Sequence, residues 1–194
     1  LGYKFIQTWR GLVYHMTSRG SRFNPSSGGA PGKDSPEWIY TTTKNMRNFI
    51  RKWGTQVQHN QFMKPIVSPK YDIGFVAYNC NKHYLKQLEP WCDKIYLDLR
   101  DSDCMGDYIK EEQPNTTYDL SERIKLYGNS KISELHDICV EFDCRNLTQE
   151  NFQVITNLAN IIRDSGDIGE FELEAFKFYI SSLDTYEKDL ILVK

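Results

Sequence analysis

The sequence predicts an α+β fold, with small mixed or antiparallel sheets and a helical C-terminal part, and three observations carry that expectation. Short runs at residues 38–41, 73–79 and 94–99 are dense in branched and aromatic residues, the composition of strands. Too few helical segments separate them to build a doubly wound sheet. Beyond Pro114 the apolar spacing shifts toward a helical period. At 194 residues, 40% apolar and 26% charged, the chain has material for one core. It is read as an α+β region, residues 1–114, and a helix-rich region, residues 115–194, packed together as one unit.

The elements follow in order. Residues 11–16 end in Leu12-Val13-Tyr14 and predict a strand. Residues 17–36, TSRGSRFNPSSGGAPGKDSP, are crowded with Gly, Pro and Ser, so neither helix nor strand is expected there and a long loop is. Trp38-Ile39-Tyr40-Thr41 reads as a short strand. A helix over 44–53 follows, with Met46, Phe49, Ile50 and Trp53 at i, i+3, i+4 and i+7 and therefore on one face, buried against a sheet; Gly54 stops it. Strands are expected at 73–79 and 94–99, with a short helix at 82–88 between them and Asp107-Tyr108-Ile109 as a further strand start. Helices are expected at 120–127, at 131–139 and from Thr148, the cap, to Ser165-Gly166. Residues 169–183, GEFELEAFKFYISSL, fit both periods and are assigned to helix.

Composition narrows the function. The net charge is −2, so the basic excess of a nucleic-acid binder is missing. Five cysteines at 80, 92, 104, 139 and 144 show no C-x-x-C pair and no histidines at finger spacing, and no metal site is expected. Their odd number speaks against a full disulfide framework. No apolar run reaches the roughly 18 residues of a membrane span, and no signal peptide opens the chain. An intracellular protein is expected, with secretion the alternative that the sequons at Asn115 and Asn146 would serve. Leu at position 1 suggests a fragment or a processed form.

Hydrolase and nucleotide-loop motifs are missing: there is no G-x-S-x-G, no H-E-x-x-H and no G-x-x-x-x-G-K-[ST]. His15-Met16-Thr17 has the H-x-T form of two-histidine phosphoesterases, but His59, His83 and His136 supply no second copy. What remains is Val13-Tyr14-His15-Met16-Thr17-Ser18, the Gly/Ser/Pro loop, and Trp38-Ile39-Tyr40-Thr41-Thr42-Thr43 leading into a helix. This resembles the start of ADP-ribosyltransferases of the His-Tyr-acid type, over residues 11–53, with a further match at residues 106–109. The resemblance implies two small twisted sheets with NAD, as substrate, in a cleft between them. His15 would anchor the ribose next to the nicotinamide, Thr17 and Thr41 would support NAD, Tyr40 would stack on the nicotinamide and Asp107 would be the acid. Cleaving the nicotinamide–ribose bond needs such a set: a fixed ribose, a π surface and a carboxylate near the developing cation. The acceptor would be a macromolecule. A second transferase subtype maps onto Arg10, Thr41–Thr43 and Glu172-Leu173-Glu174, provided that the last lies on a strand.

Two rival readings stand beside the transferase. One is a non-catalytic interaction or regulatory module engaging a protein partner, including a decayed transferase fold. The other is a nucleic-acid binder using Arg19, Arg22, Lys44, Arg47, Arg51 and Lys52, which would show steep salt dependence.

Overall fold

The computed structural model describes residues 21–128 and 131–186. The predicted strand at 11–16, and with it Arg10, His15, Thr17 and Arg19, lies outside them. The chain divides into two compact units, residues 1–43 and 44–194.

In the first unit the expected loop carries turns of its own. Asn24 accepts from Ser26 N at 3.1 Å and opens a 3-10 turn over Pro25–Ser27, which Gly28 ends at φ 79°. Gly29 lies so close to Phe23 that a Cβ there would stand 2.7 Å from its carbonyl carbon, so only glycine fits. The Arg22 guanidinium bonds Asp34 at 2.7 Å and covers the rings of Phe23 and Trp38.

Helix α1 spans Pro36–Trp53, so the strand expected at 38–41 is its first turns. The reason is local. Ser35 accepts from Trp38 N at 3.2 Å, and Pro36 takes the first helical position, where its missing N–H costs nothing. That start signal outweighs the β propensity of Trp38, Ile39, Tyr40 and Thr41. The expected burial of Met46, Phe49, Ile50 and Trp53 also needs correction. Ile50 is buried, Phe49 and Trp53 are half-buried, and Met46 is 49% exposed. The inward face carries Ile50 with Arg51, which is 1% exposed, and half-buried Arg47.

The second unit is built on one sheet. Strands β1 (Gln58–His59) and β2 (Pro65–Ile66) form a small separate hairpin. The main strands are β3 (Ile73–Tyr78), β4 (Lys94–Leu97), β5 (Ile124–Leu126), β6 (Ile138–Asp143), β7 (Gly169–Leu173) and β8 (Phe176–Ile180). Their order is β5-β4-β3-β6-β8-β7, with the first four parallel and the last two joined antiparallel. Helices α2 (Lys82–Leu88) and α3 (Ser102–Glu112) lead from β3 to β4 and on toward β5; α4 (Leu120–Arg123), α5 (Phe152–Thr156) and α6 (Leu158–Ser165) complete the helical set. The chain is therefore α+β with a mixed sheet and a small antiparallel one, as the composition of its runs predicts. The division at residue 114 does not separate the sheet, which draws strands from both sides of it.

Alternation along the strands sorts the two faces. Ile73, Phe75 and Ala77 align with Ile95 and Leu97 on one side and with Ile138, Val140 and Phe142 on the other, then with Phe178 and Ile180. These join Leu85, Leu88, Trp91, Ile155, Leu158 and Ile162 in one buried cluster. The opposite face is polar and aromatic: Tyr78, Tyr96, Glu141 and Tyr179, with Glu141 accepting from Tyr78 at 3.0 Å and Tyr179 at 2.8 Å.

The C-terminal part is less helical than its sequence suggests. Residues 120–127 divide into α4 and β5, and residues 131–139 into a 3-10 turn and the start of β6. The long helix from Thr148 is α5 and α6, interrupted at Asn157 and stopped by Gly166 at φ 64°. Residues 169–183 form the β7–β8 hairpin. Phe171, Phe176, Phe178 and Ile180 alternate inward, and the tight turn puts Glu174 at φ 54°.

A charged knot lies within the helical layer. Glu89, fully buried, accepts from Arg51 Nη2 at 2.7 Å, Arg123 Nε at 2.6 Å and the Tyr108 hydroxyl at 2.8 Å. Glu112 accepts from Arg51 and Arg47, each at 2.8 Å. No buried side-chain nitrogen or oxygen among the described residues lacks a partner.

Candidate site at the carboxyl edge of the parallel strands

In open sheets with parallel strands, ligands sit outside the carboxyl ends of the strands, where adjacent connections run apart. Here that place lies between β3 and its neighbour β6. The chain leaves β3 through Asn79, at φ 52°, and Asn81, whose side chain caps α2 by accepting from Tyr84 N at 3.0 Å. It leaves β6 through a 3-10 turn over Cys144–Asn146 and reaches α5 through Thr148 and Asn151, which cap each other at 2.8 and 3.2 Å. Asn79 ties the two exits together with a 2.9 Å hydrogen bond to Asp143.

Between these exits opens a cleft of about 310 Å³, lined by Tyr84 and Gln87 of α2 and by Leu147, Thr148, Gln149, Phe152 and Gln153. Its lining has two aromatic rings, three primary amides and two hydroxyls, those of Tyr84 and Thr148, and no charged side chain. Such a set offers stacking surfaces and neutral donors and acceptors. It suits a ring bearing hydroxyl or amide groups better than an ion.

The edge beside the cleft is charged. Asp98, following β4, is drawn down to about 2 by the Arg100 guanidinium and backbone N–H. Asp143, at the end of β6, is lowered by Arg145 in the same manner. Below the edge the neighbouring Cys144 thiol and burial together raise Cys80 far above the ordinary range. Burial pushes Cys104 up to about 11. Thiols held protonated in this way are poor nucleophiles and poor metal ligands. Among the described residues all five cysteines are free, and no three acid, thiol or imidazole groups converge to hold a metal.

The residues singled out from sequence fall elsewhere. Tyr40 and Thr41 are on α1 rather than on a strand, and Tyr40 is 57% exposed. Asp107 is an exposed residue of α3, not the start of a strand. His15 and Thr17 lie outside the described residues. Of the second transferase set, Glu172 does lie on strand β7, with Glu174 in the adjoining turn, whereas Thr41–Thr43 are helical. No helix among the described residues is long and apolar enough to cross a membrane. Sequence reasoning missed the carboxyl edge because its signal is spread across three strands; the one local hint is the tripeptide Asp-x-Arg, present at 98–100 and again at 143–145. Comparison with protein-family models, with curated proteins and with solved structures finds no match to this chain.

Proposed function

We propose that the chain binds a small compound by its uncharged ring, of the sugar or nucleoside kind, in the cleft between α2 and residues 147–153. The observation that carries this reading is the position of the cleft. It opens where the connections after β3 and β6 diverge, the place that strand order alone marks out for a ligand. Its size is at the lower end of the roughly 300–1,000 Å³ of small-molecule sites. Tyr84 and Phe152 would stack on the ring, and Gln87, Gln149, Gln153 and Thr148 would take its hydroxyl or amide groups. The ADP-ribose transfer from NAD to a macromolecular acceptor that the resemblance implies rests on His15 and Thr17, which lie outside the described residues, and on Tyr40 and Asp107, which are on helices rather than strands. The cleft supports the ring-binding reading instead.

Titration of the 15N-labelled chain with adenosine, uridine and glucose tests the reading. One of them should shift the amides of residues 147–153 and 84–87 in a saturable way. Gln149→Ala, at an exposed position, should weaken that response without changing the melting temperature. No shift in either segment with any of the three would overturn the proposal.

A further inference from the structure

We infer that Arg100 and Arg145 form a two-armed phosphate site at the carboxyl end of β3, so that the ligand of this edge is a phosphorylated ring compound. The inference deepens the cleft reading and rests on it for the ring.

The same turn is built twice. Leu97 pairs with Ala77 and Asp143 with Tyr78, which puts Asp98 and Asp143 at one level on either side of Tyr78. Two strand spacings, about 10 Å, separate the chains that carry them. Each aspartate opens a 3-10 turn and accepts from the N–H two residues on, at 2.9 Å in both cases. Each then grips the guanidinium of that residue. Asp98 holds Arg100 through Nε at 3.1 Å and Nη2 at 2.8 Å; Asp143 holds Arg145 through Nε at 3.1 Å and Nη2 at 2.6 Å.

These clamps make little sense as stabilising ion pairs. The Arg100 and Arg145 side chains are 77% and 71% exposed, and pairs that open to water contribute little. What the clamps do is fix direction. With Nε and one edge of Nη2 committed to its aspartate, each guanidinium keeps the Nη1 donors and the outer Nη2 donor for something else. Arg100 is near enough for its charge to act on Arg145. Two cationic forks, each fixed by its own aspartate and carried by strands two spacings apart, would meet the several acceptor oxygens of a phosphate lying between them. Arg145 is also two residues before Leu147, so an anion held there lies at the lip of the cleft.

The local charge sharpens the chemistry. Asp98, Asp101 and Asp143 stand in the same turns as the two arginines, Asp103 follows in the first turn of α3, and Asp101 is occupied by the Cys80 N–H at 2.9 Å. Acids outnumber arginines, so no long-range positive field gathers polyanions. Binding has to come from direct, forked hydrogen bonds, which favours a compact terminal phosphate over a nucleic-acid backbone.

The test uses the full chain and inorganic phosphate as the probe, with sulfate and chloride as controls and unphosphorylated adenosine, uridine and glucose in parallel. Phosphate should shift the amides of Asn79, Arg100 and Arg145 in a saturable way. Arg100→Ala and Arg145→Ala should each weaken that response at least tenfold, with melting temperatures unchanged. Arg100→Lys should recover only part of it, because a point charge does not replace the fork. Absence of the shifts, or shifts that persist in both alanine variants, would overturn the site. A phosphate response without any response to the ring compounds would leave this site standing and remove the cleft; the reverse would remove this site alone.

Discussion

Replacing Glu89 by Gln keeps the shape of the most buried acid and removes its charge. The side chain is fully enclosed and accepts from Arg51, Arg123 and Tyr108, while Arg47 approaches to 3.7 Å. The amide oxygen can satisfy some of these donors, but the amide nitrogen must then face the others. Arg51 would keep Glu112 as its charged partner, and Arg123 would lose its carboxylate. Breaking one side of a buried ion pair costs about 3–5 kcal/mol, a large part of the roughly 5–15 kcal/mol that holds a domain folded. Glu112→Gln should cost less, about 1–3 kcal/mol, because Arg51 retains Glu89 and Arg47 is half-buried rather than enclosed. Equilibrium urea unfolding, followed by the fluorescence of buried Trp91, gives both values. A Glu89→Gln variant within about 0.5 kcal/mol of the parent would show that the knot is not the charged centre of the helical layer.

The same two acids set the acid limb of stability. Burial pushes Glu89 and Glu112 up, but the hydrogen bonds and charges of their arginines more than offset it, so both lie below the ordinary 4.5. Their contribution is therefore present above about pH 4.5 and is lost as pH falls through the folded values. The urea midpoint should drop below that pH, and Glu89→Gln should flatten the drop. Gly74→Ala should destabilise by about 1–3 kcal/mol, since its Cβ would stand 2.4 Å from the ring of His136, which Asp72 and Tyr96 hold in place. Phe49→Ala should cost about 1–2 kcal/mol in urea unfolding, less than the 3–5 of an enclosed phenylalanine, because Phe49 is only half-buried. Glu174→Gly should raise the melting temperature by relieving the left-handed backbone at φ 54°, with a gain of up to about 1 kcal/mol.

How much of this fold could be read in advance depends on where each signal lies. The strands at 73–78 and 94–97 and helix 82–88 were legible because composition, alternation and caps agree within a few residues. Helix α1 misled twice. Its start depends on one serine and one proline, which four β-prone residues obscured. Its inward face is formed by arginines, and no periodicity of apolar residues can reveal that Glu89 and Glu112, far along the chain, wait to receive them. The β7–β8 hairpin was obscured by its turn: Glu174-Ala175 has neither the glycine nor the asparagine that usually marks a residue with positive φ.

The candidate site was illegible for a different reason, and the reason bears on what it does. The tripeptides Asp98-Leu99-Arg100 and Asp143-Cys144-Arg145 carry no meaning apart, since an aspartate two residues before an arginine is an ordinary turn. Only the crossover that brings β6 back beside β3, after β4 and β5 have been laid down on its other side, sets the two turns at one level. That same crossover separates the exits of β3 and β6 and opens the cleft between α2 and α5. Cleft and arginine pair thus share one topological cause, and a ligand that spans them would report on both ends of it. Adenosine monophosphate should accordingly bind more tightly than adenosine or inorganic phosphate alone, by a factor approaching the product of their separate effects if the two sites face one molecule. Equal affinity for the nucleotide and for its better half would mean that the ring and the phosphate are held by sites that no single ligand can reach together.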